Sequence, residues 1–205
     1  MLCFTCNTFQ DFQWKFLIHM TKERVVIVPG NGRGDVEHSN WYGWLKNKLL
    51  EKNIDCLLRN MPDPVLAREE IWIPFMEKQL NCDEHTVIVG HSSGAQAALR
   101  YAEKHSVLGL ILVSPCVTDL DDPNEKASGY YNRPWEWEQI KQNTQWIVQF
   151  GSTDDPFIPF SEQEQVAEGT ASEFHKFSDK GHFQSLAFSD LMNILISKLK
   201  QECGE

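Results

Sequence analysis

The sequence predicts an α/β fold: one six-stranded, mostly parallel sheet with helices on both faces. Three observations carry that expectation. Short aliphatic and β-branched runs, such as Val25-Val26-Ile27-Val28 and Thr86-Val87-Ile88-Val89, alternate along the chain with longer stretches of helical period. Alternation of this kind implies parallel strands joined by crossover helices. The 205 residues are 41% hydrophobic, enough to bury one sizeable core, and no linker rich in Pro, Gly or Ser and no charge block divides them. The expected organisation is a single domain over residues 20–205, preceded by an extension over 1–19 that is either disordered or not native to the protein.

In order, the first strand runs from Arg24 to Pro29. A helix follows from Trp41 to Glu51, where Trp41, Trp44, Leu45 and Leu49 share one face. Ile54 to Leu58 reads as a strand and Ala67 to Leu80 as a helix. The strand opening at Thr86 turns into an Ala-rich helix that reaches His105, and Gly109 to Val113 is a fourth strand. A polar insertion from Asp119 to Trp137 comes next, then a short helix near Trp135 to Gln142 and a strand from Trp146 to Phe150. A helix near Ser161 to Ala167, a last strand from Glu173 to Phe177 and a closing helix from about Phe188 to Gln201 complete the chain. The expected strand order is 2-1-3-4-5-6.

The third strand runs into Gly90-His91-Ser92-Ser93-Gly94, a Gly-x-Ser-x-Gly turn leading straight into a helix. Such a turn holds its serine in a strained conformation, and small residues two places to either side let strand and helix approach closely. Ser92 is thus the candidate nucleophile, and the Ser93 N–H at the helix start is a candidate oxyanion donor. This is the elbow of a minimal α/β-hydrolase core, in which an acid and then a base follow the serine along the chain. Gly181-His182 lies beyond the final strand and makes His182 the candidate base. His19, His38 and His85 precede Ser92, His91 lies inside the elbow, His105 ends a helix and His175 lies within a strand. For the acid, Ser152-Thr153-Asp154-Asp155-Pro156 ends the fifth strand, and chemistry does not separate Asp154 from Asp155. The residue before Pro156 is biased to an extended backbone, which suits a side chain turned toward the site.

Pro29-Gly30-Asn31-Gly32-Arg33-Gly34 ends the first strand. It lacks the Lys-Ser/Thr of a P-loop and the Gly-x-Gly-x-x-Gly spacing, so a nucleotide site is not expected. In a hydrolase of this kind the same loop supplies the second oxyanion N–H, assigned here to Asn31 with Gly32 next. The insertion combines aromatic residues, among them Tyr130 and Trp135 as candidate substrate-pocket residues, with Asp119, Asp121, Asp122 and Glu125. Acids facing the site would favour a substrate carrying an ammonium group.

Pro29-Gly30-Asn31-Gly32, Asn60-Met61-Pro62-Asp63-Pro64, Gly90-His91-Ser92-Ser93-Gly94, Ala127-Ser128-Gly129-Tyr130, Arg133-Pro134-Trp135, Gln149-Phe150-Gly151-Ser152-Thr153-Asp154-Asp155-Pro156-Phe157 and Gly181-His182-Phe183-Gln184 together resemble the retinoblastoma-binding protein nine family of small serine hydrolases. The resemblance extends from about Arg24 to Lys200. It implies a triad of Ser92, Asp155 and His182, which breaks the tie between the two aspartates. It also implies action on small esters or amides, including amino-acid esters or aminopeptidase-type substrates, with no metal and no cofactor. A second function class rests on Leu80-Asn81-Cys82-Asp83-Glu84. This Leu-x-Cys-x-Glu motif, with Leu80, Cys82 and Glu84 as its contacts, would bind a retinoblastoma-type pocket protein as an extended, exposed peptide.

A formal net charge of −10 at pH 7 without any Lys/Arg cluster argues against nucleic acid as a partner, and no apolar run is long enough to span a membrane. The six cysteines are scattered and no Asn-x-Ser/Thr sequon occurs, so a reduced cytoplasmic or nuclear protein is expected. Cys3-x-x-Cys6 lies in residues 1–19, which lack the surroundings of a redox motif and the basic start and long apolar core of a signal peptide. Translation starting at Met20 is the other reading of that stretch.

Overall fold

Six strands form one sheet in the order β2-β1-β3-β4-β5-β6: β1 (Arg24–Val28), β2 (Asp55–Leu58), β3 (Thr86–His91), β4 (Val107–Val113), β5 (Thr144–Ser152) and β6 (Glu173–Phe177). The computed structural model describes residues 23–32 and 34–202. The expected extension over 1–19, with Cys3, Cys6 and His19, lies outside the described residues, as do Arg33 and Cys203. All five strand pairings are parallel, in registers such as Val26↔Ile88 and Ile88↔Leu110, so the expected order holds and the sheet is parallel throughout.

Seven α-helices and one short 3-10 turn (Val36–His38) lie among the described residues; the α-helices are α1 (Tyr42–Leu50), α2 (Glu69–Lys78), α3 (Ser93–Ala102), α4 (Pro123–Ser128), α5 (Trp137–Gln142), α6 (Phe160–Thr170) and α7 (Ser189–Glu202). Strand side chains alternate between the two faces. Val26, Val28, Ile88, Leu110 and Leu112 join Trp72, Met76 and the alanines of α3 in one core. Val25, Ile27, Val87, Val89, Ile111 and Val113 join Trp41, Leu45 and Leu49 near α1 and Leu191, Leu195 and Leu199 of α7 in the other. Each buried aliphatic side chain of this kind contributes about 1.5–3 kcal/mol.

Two differences from the expected elements have local causes. Helix α2 starts at Glu69 rather than Ala67, because Ala67 has φ +51° and the Asp63 carboxylate accepts the Arg68 N–H at 3.2 Å. It stops at Lys78 rather than Leu80, where the Gln79 and Leu80 N–H groups both turn back to the Phe75 carbonyl and Asn81 takes φ +48°. The insertion, expected as a polar connection, contains α4. Asp122 caps it by accepting from the Asn124 and Glu125 N–H groups at 2.8 and 3.0 Å, Pro123 opens it and Gly129 closes it at φ +89°.

Candidate active site

Ser92 sits between β3 and α3 at φ 53°, ψ −125°, a backbone conformation costly for any residue with a side chain. Packing on both sides holds it there. A methyl group on Gly90 would strike the Gly94 carbonyl and approach Ala95 Cα to 2.7 Å, and one on Gly94 would strike the Val28 carbonyl and approach the Pro29 carbonyl to 2.6 Å. The Ser92 N–H donates to the Val113 carbonyl at 2.9 Å, tying the turn to β4. The two glycines thus admit the contact, and the serine is left at the C-terminal edge of the sheet, where open α/β folds place their ligands.

Beyond β5 and β6 the chain brings the candidate acid and the candidate base together. Asp155 Oδ2 lies 2.8 Å from His182 Nδ1, with Oδ1 at 3.1 Å. The carboxylate also accepts from the Ser114 hydroxyl at 2.8 Å and from the Phe157 and Ile158 N–H groups at 2.9 and 3.1 Å. Burial pushes the Asp155 carboxyl pKa up, but the His182 ring and those N–H donors outweigh it and hold the group below its usual range. A carboxylate facing Nδ1 makes that nitrogen the protonated one and leaves the Nε2 lone pair available. Asp154 points elsewhere: its Oδ1 accepts from the Ser152 hydroxyl and, at 2.9 Å, from the Gly181 N–H, so it shapes the loop that carries His182.

Ser92 and His182 border a cavity of about 600 Å³, which Gly30, Asn31, Glu125 and Tyr131 also line. No hydrogen bond joins Ser92 to His182 among the described residues; such contacts commonly tighten only once substrate is bound. In the loop after β1, the Gly30 N–H donates to the Tyr42 hydroxyl at 3.1 Å and the Gly32 N–H to the Pro64 carbonyl. Glu125 accepts from Asn31 Nδ2 at 3.2 Å and from the Tyr131 hydroxyl at 3.3 Å, and burial pushes its carboxyl pKa up.

The insertion supplies the cavity wall through different aromatics from those expected. Tyr130 is fully buried in the core and Trp135 packs against Arg100, and neither lines the cavity; Tyr131 does. The sequence shows two adjacent tyrosines and gives no sign of which one turns inward. Tyr42, Ser114 and Phe157 were not singled out either. Each lies near the C-terminal edge of the sheet, and that position is the signal that would have found Ser114, which directly follows β4.

Leu80 is 1% exposed and Cys82 8% exposed, while Glu84 is on the surface. Cys56, Cys82 and Cys116 are unpaired, and burial pushes each thiol up to about 12. Among the described residues no three His, Cys, Asp or Glu side chains group to hold a metal ion, and no helix is long and apolar enough to cross a membrane.

The family model described as Serine hydrolase matches residues 25–191. The chain is 56% identical over 177 residues to serine hydrolase RBBP9 of Rattus norvegicus, covering 86% of this chain and 95% of the relative. Among solved structures, the ydeN gene product of B. subtilis superposes with a TM-score of 0.79 at 24% identity, over 87% of this chain and all of that one. Est1E from Butyrivibrio proteoclasticus does so with a TM-score of 0.69 at 11% identity, over 90% and 91% of the two chains. These two likenesses speak for the fold alone, an α/β-hydrolase sheet. The elbow, the fold and the family match together make this chain an enzyme that belongs to the RBBP9-like family of small serine hydrolases.

Proposed function

We propose that this serine hydrolase cleaves small esters or amides in two acyl-transfer steps through Ser92, His182 and Asp155. The observation that carries the reading is the 2.8 Å pairing of Asp155 with His182 Nδ1, beside a cavity bordered by a serine on a strained turn. His182 Nε2 takes the hydroxyl proton as Ser92 Oγ attacks the carbonyl, and returns it to the departing alcohol or amine. The N–H groups of Ser93 and Asn31 hold the oxyanion. The Gly30 and Gly32 N–H groups are engaged elsewhere, which supports Asn31 as the donor from that loop. A water deprotonated by His182 then releases the acid and restores the serine. No step needs a metal or an organic cofactor.

For substrate, amino-acid esters or aminopeptidase-type compounds fit a wall that contains Glu125. An ammonium group entering there would meet a carboxylate otherwise held by Asn31 and Tyr131. Binding of a retinoblastoma-type pocket through Leu80, Cys82 and Glu84 would require the segment to peel away from the core, since its first two contact residues are buried. We place the enzyme in the cytoplasm or nucleus, a reading supported by the three unpaired cysteines.

Labelling of the pure protein by a fluorophosphonate probe tests the reading. The intact enzyme takes up the probe and Ser92→Ala does not. An unlabelled intact enzyme would overturn the proposal.

A further inference from the structure

Three buried side chains that take no part in the proton transfers tie the two halves of the site together. Tyr42, in the first turn of α1, has its hydroxyl 2.5 Å from His91 Nδ1, inside the elbow. The same oxygen accepts from the Gly30 N–H at 3.1 Å and from Asn40 Nδ2 at 3.2 Å. On its other side, His91 Nε2 lies 2.9 Å from the backbone carbonyl of His182. The next carbonyl, that of Phe183, accepts from Trp41 Nε1 at 2.9 Å. Trp41, Tyr42 and His91 are each at most 1% exposed.

The donors and acceptors give this chain one direction. A carbonyl oxygen only accepts, so His91 Nε2 carries the proton. The Tyr42 oxygen already accepts twice, so its own hydrogen points to Nδ1, which makes His91 the neutral Nε2–H tautomer. The run is then Gly30 N–H to Tyr42, Tyr42 O–H to His91, and His91 N–H to the His182 carbonyl, with each bond polarising the next. One end is the residue before the candidate oxyanion donor Asn31, and the other is the backbone of the candidate base. Phe183, just beyond that base, has φ +52°, a strained position that persists only where its surroundings over-determine it. The donors from His91 and Trp41 on two successive carbonyls supply that constraint.

We infer that Tyr42 and His91, assisted by Trp41, are positioning residues that hold the oxyanion loop and the His182 loop at a fixed separation across the elbow. The inference rests on the acyl-transfer reading above. It assigns the buried relay to geometry in the transition state, not to substrate binding.

The test is Tyr42→Phe, which removes one oxygen and keeps the ring packing. On p-nitrophenyl acetate, kcat and the rate of fluorophosphonate labelling both fall about tenfold, while KM stays within about twofold and Tm within about 3 °C. A kcat within about twofold of the intact enzyme would overturn the inference. So would a fall in kcat matched by a rise in KM, or loss of the fold, which would make the hydroxyl structural alone. A second measurement needs no variant: ¹⁵N NMR of the intact protein at pH 7 shows His91 neutral with its proton on Nε2, and a proton on Nδ1 would contradict the direction of the relay. Labelling of the intact enzyme but not of Ser92→Ala keeps the acyl-transfer reading standing whichever way the Tyr42 result falls.

Discussion

The elbow and the insertion are walls of one cavity built by opposite means. At the elbow the decisive feature is the absence of side chains, with Gly90 and Gly94 lying where any added carbon would strike backbone. The insertion instead hangs on a long side chain from elsewhere. Arg100, 1% exposed on α3, donates from Nε to the Tyr130 carbonyl at 2.9 Å, from Nη2 to that of Arg133 at 2.8 Å and from Nη1 to that of Pro134 at 3.0 Å. It also pairs with Glu103 and lies 3.8 Å from the centre of the Trp135 ring. A site governed by local backbone constraint can be read from a five-residue pattern. One held by a buried cation 30 residues away in the chain leaves no such trace.

If the elbow carries the chemistry, breaking its reacting groups has the largest effect. Ser92→Ala and His182→Ala each lower kcat by about 10⁴–10⁶, and the double variant is little worse than either, because the groups act as a unit. Steady-state assay of the three variants on one amino-acid ester checks this, and additive losses would show that they work separately. Next in size, Asp155→Asn lowers kcat by about 10³–10⁴, whereas Asp154→Asn costs less than about tenfold. The larger loss at Asp154 in the same assay would mean that the acid has been placed one residue too late.

Those two aspartates show how far the sequence could be read. Their spacing and chemistry are alike, and family resemblance separated them. The structural difference is a matter of partners: Asp155 faces Nδ1 of His182, while Asp154 binds the Ser152 hydroxyl and the Gly181 N–H, 27 residues apart along the chain from the latter. The alternation of strands and helices and the elbow were legible because they follow from local periodicity and glycine spacing, and the strand order came with the α/β-hydrolase core that the two together imply. Helix α4 was legible in principle, since Asp122-Pro123 and Gly129 are its cap signals, but the surrounding polar composition masked them. Which of Tyr130 and Tyr131 turns toward the cavity depends on packing between distant elements, and no local pattern records it.

The insertion answers to different variants. Arg100→Met leaves three carbonyls without their donor and Glu103 buried without its partner in α3. It costs about 3–5 kcal/mol of stability and raises KM more than it lowers kcat. Thermal unfolding together with steady-state kinetics measures both, and an unchanged KM would remove the insertion from substrate binding. A smaller effect than that of Arg100→Met falls on Glu125→Gln, which lowers kcat/KM for an amino-acid ester about tenfold relative to an ester without the ammonium group. Equal losses on both esters would refute the role given to Glu125. The same variant carries a pH signature. Burial holds the Glu125 pKa above its unfolded value, so as pH rises the unfolded chain loses the proton first and the folded state loses ground between the two values. The Tm difference between the glutamine variant and the intact protein is therefore more favourable to the variant at pH 7 than at pH 4.

Peptide mapping by mass spectrometry after fluorophosphonate treatment asks whether Ser92 Oγ is the nucleophile that takes up the acyl group. A single adduct is expected on the peptide containing Ser92, abolished in His182→Ala. An adduct on any other residue, or undiminished labelling without His182, would contradict it.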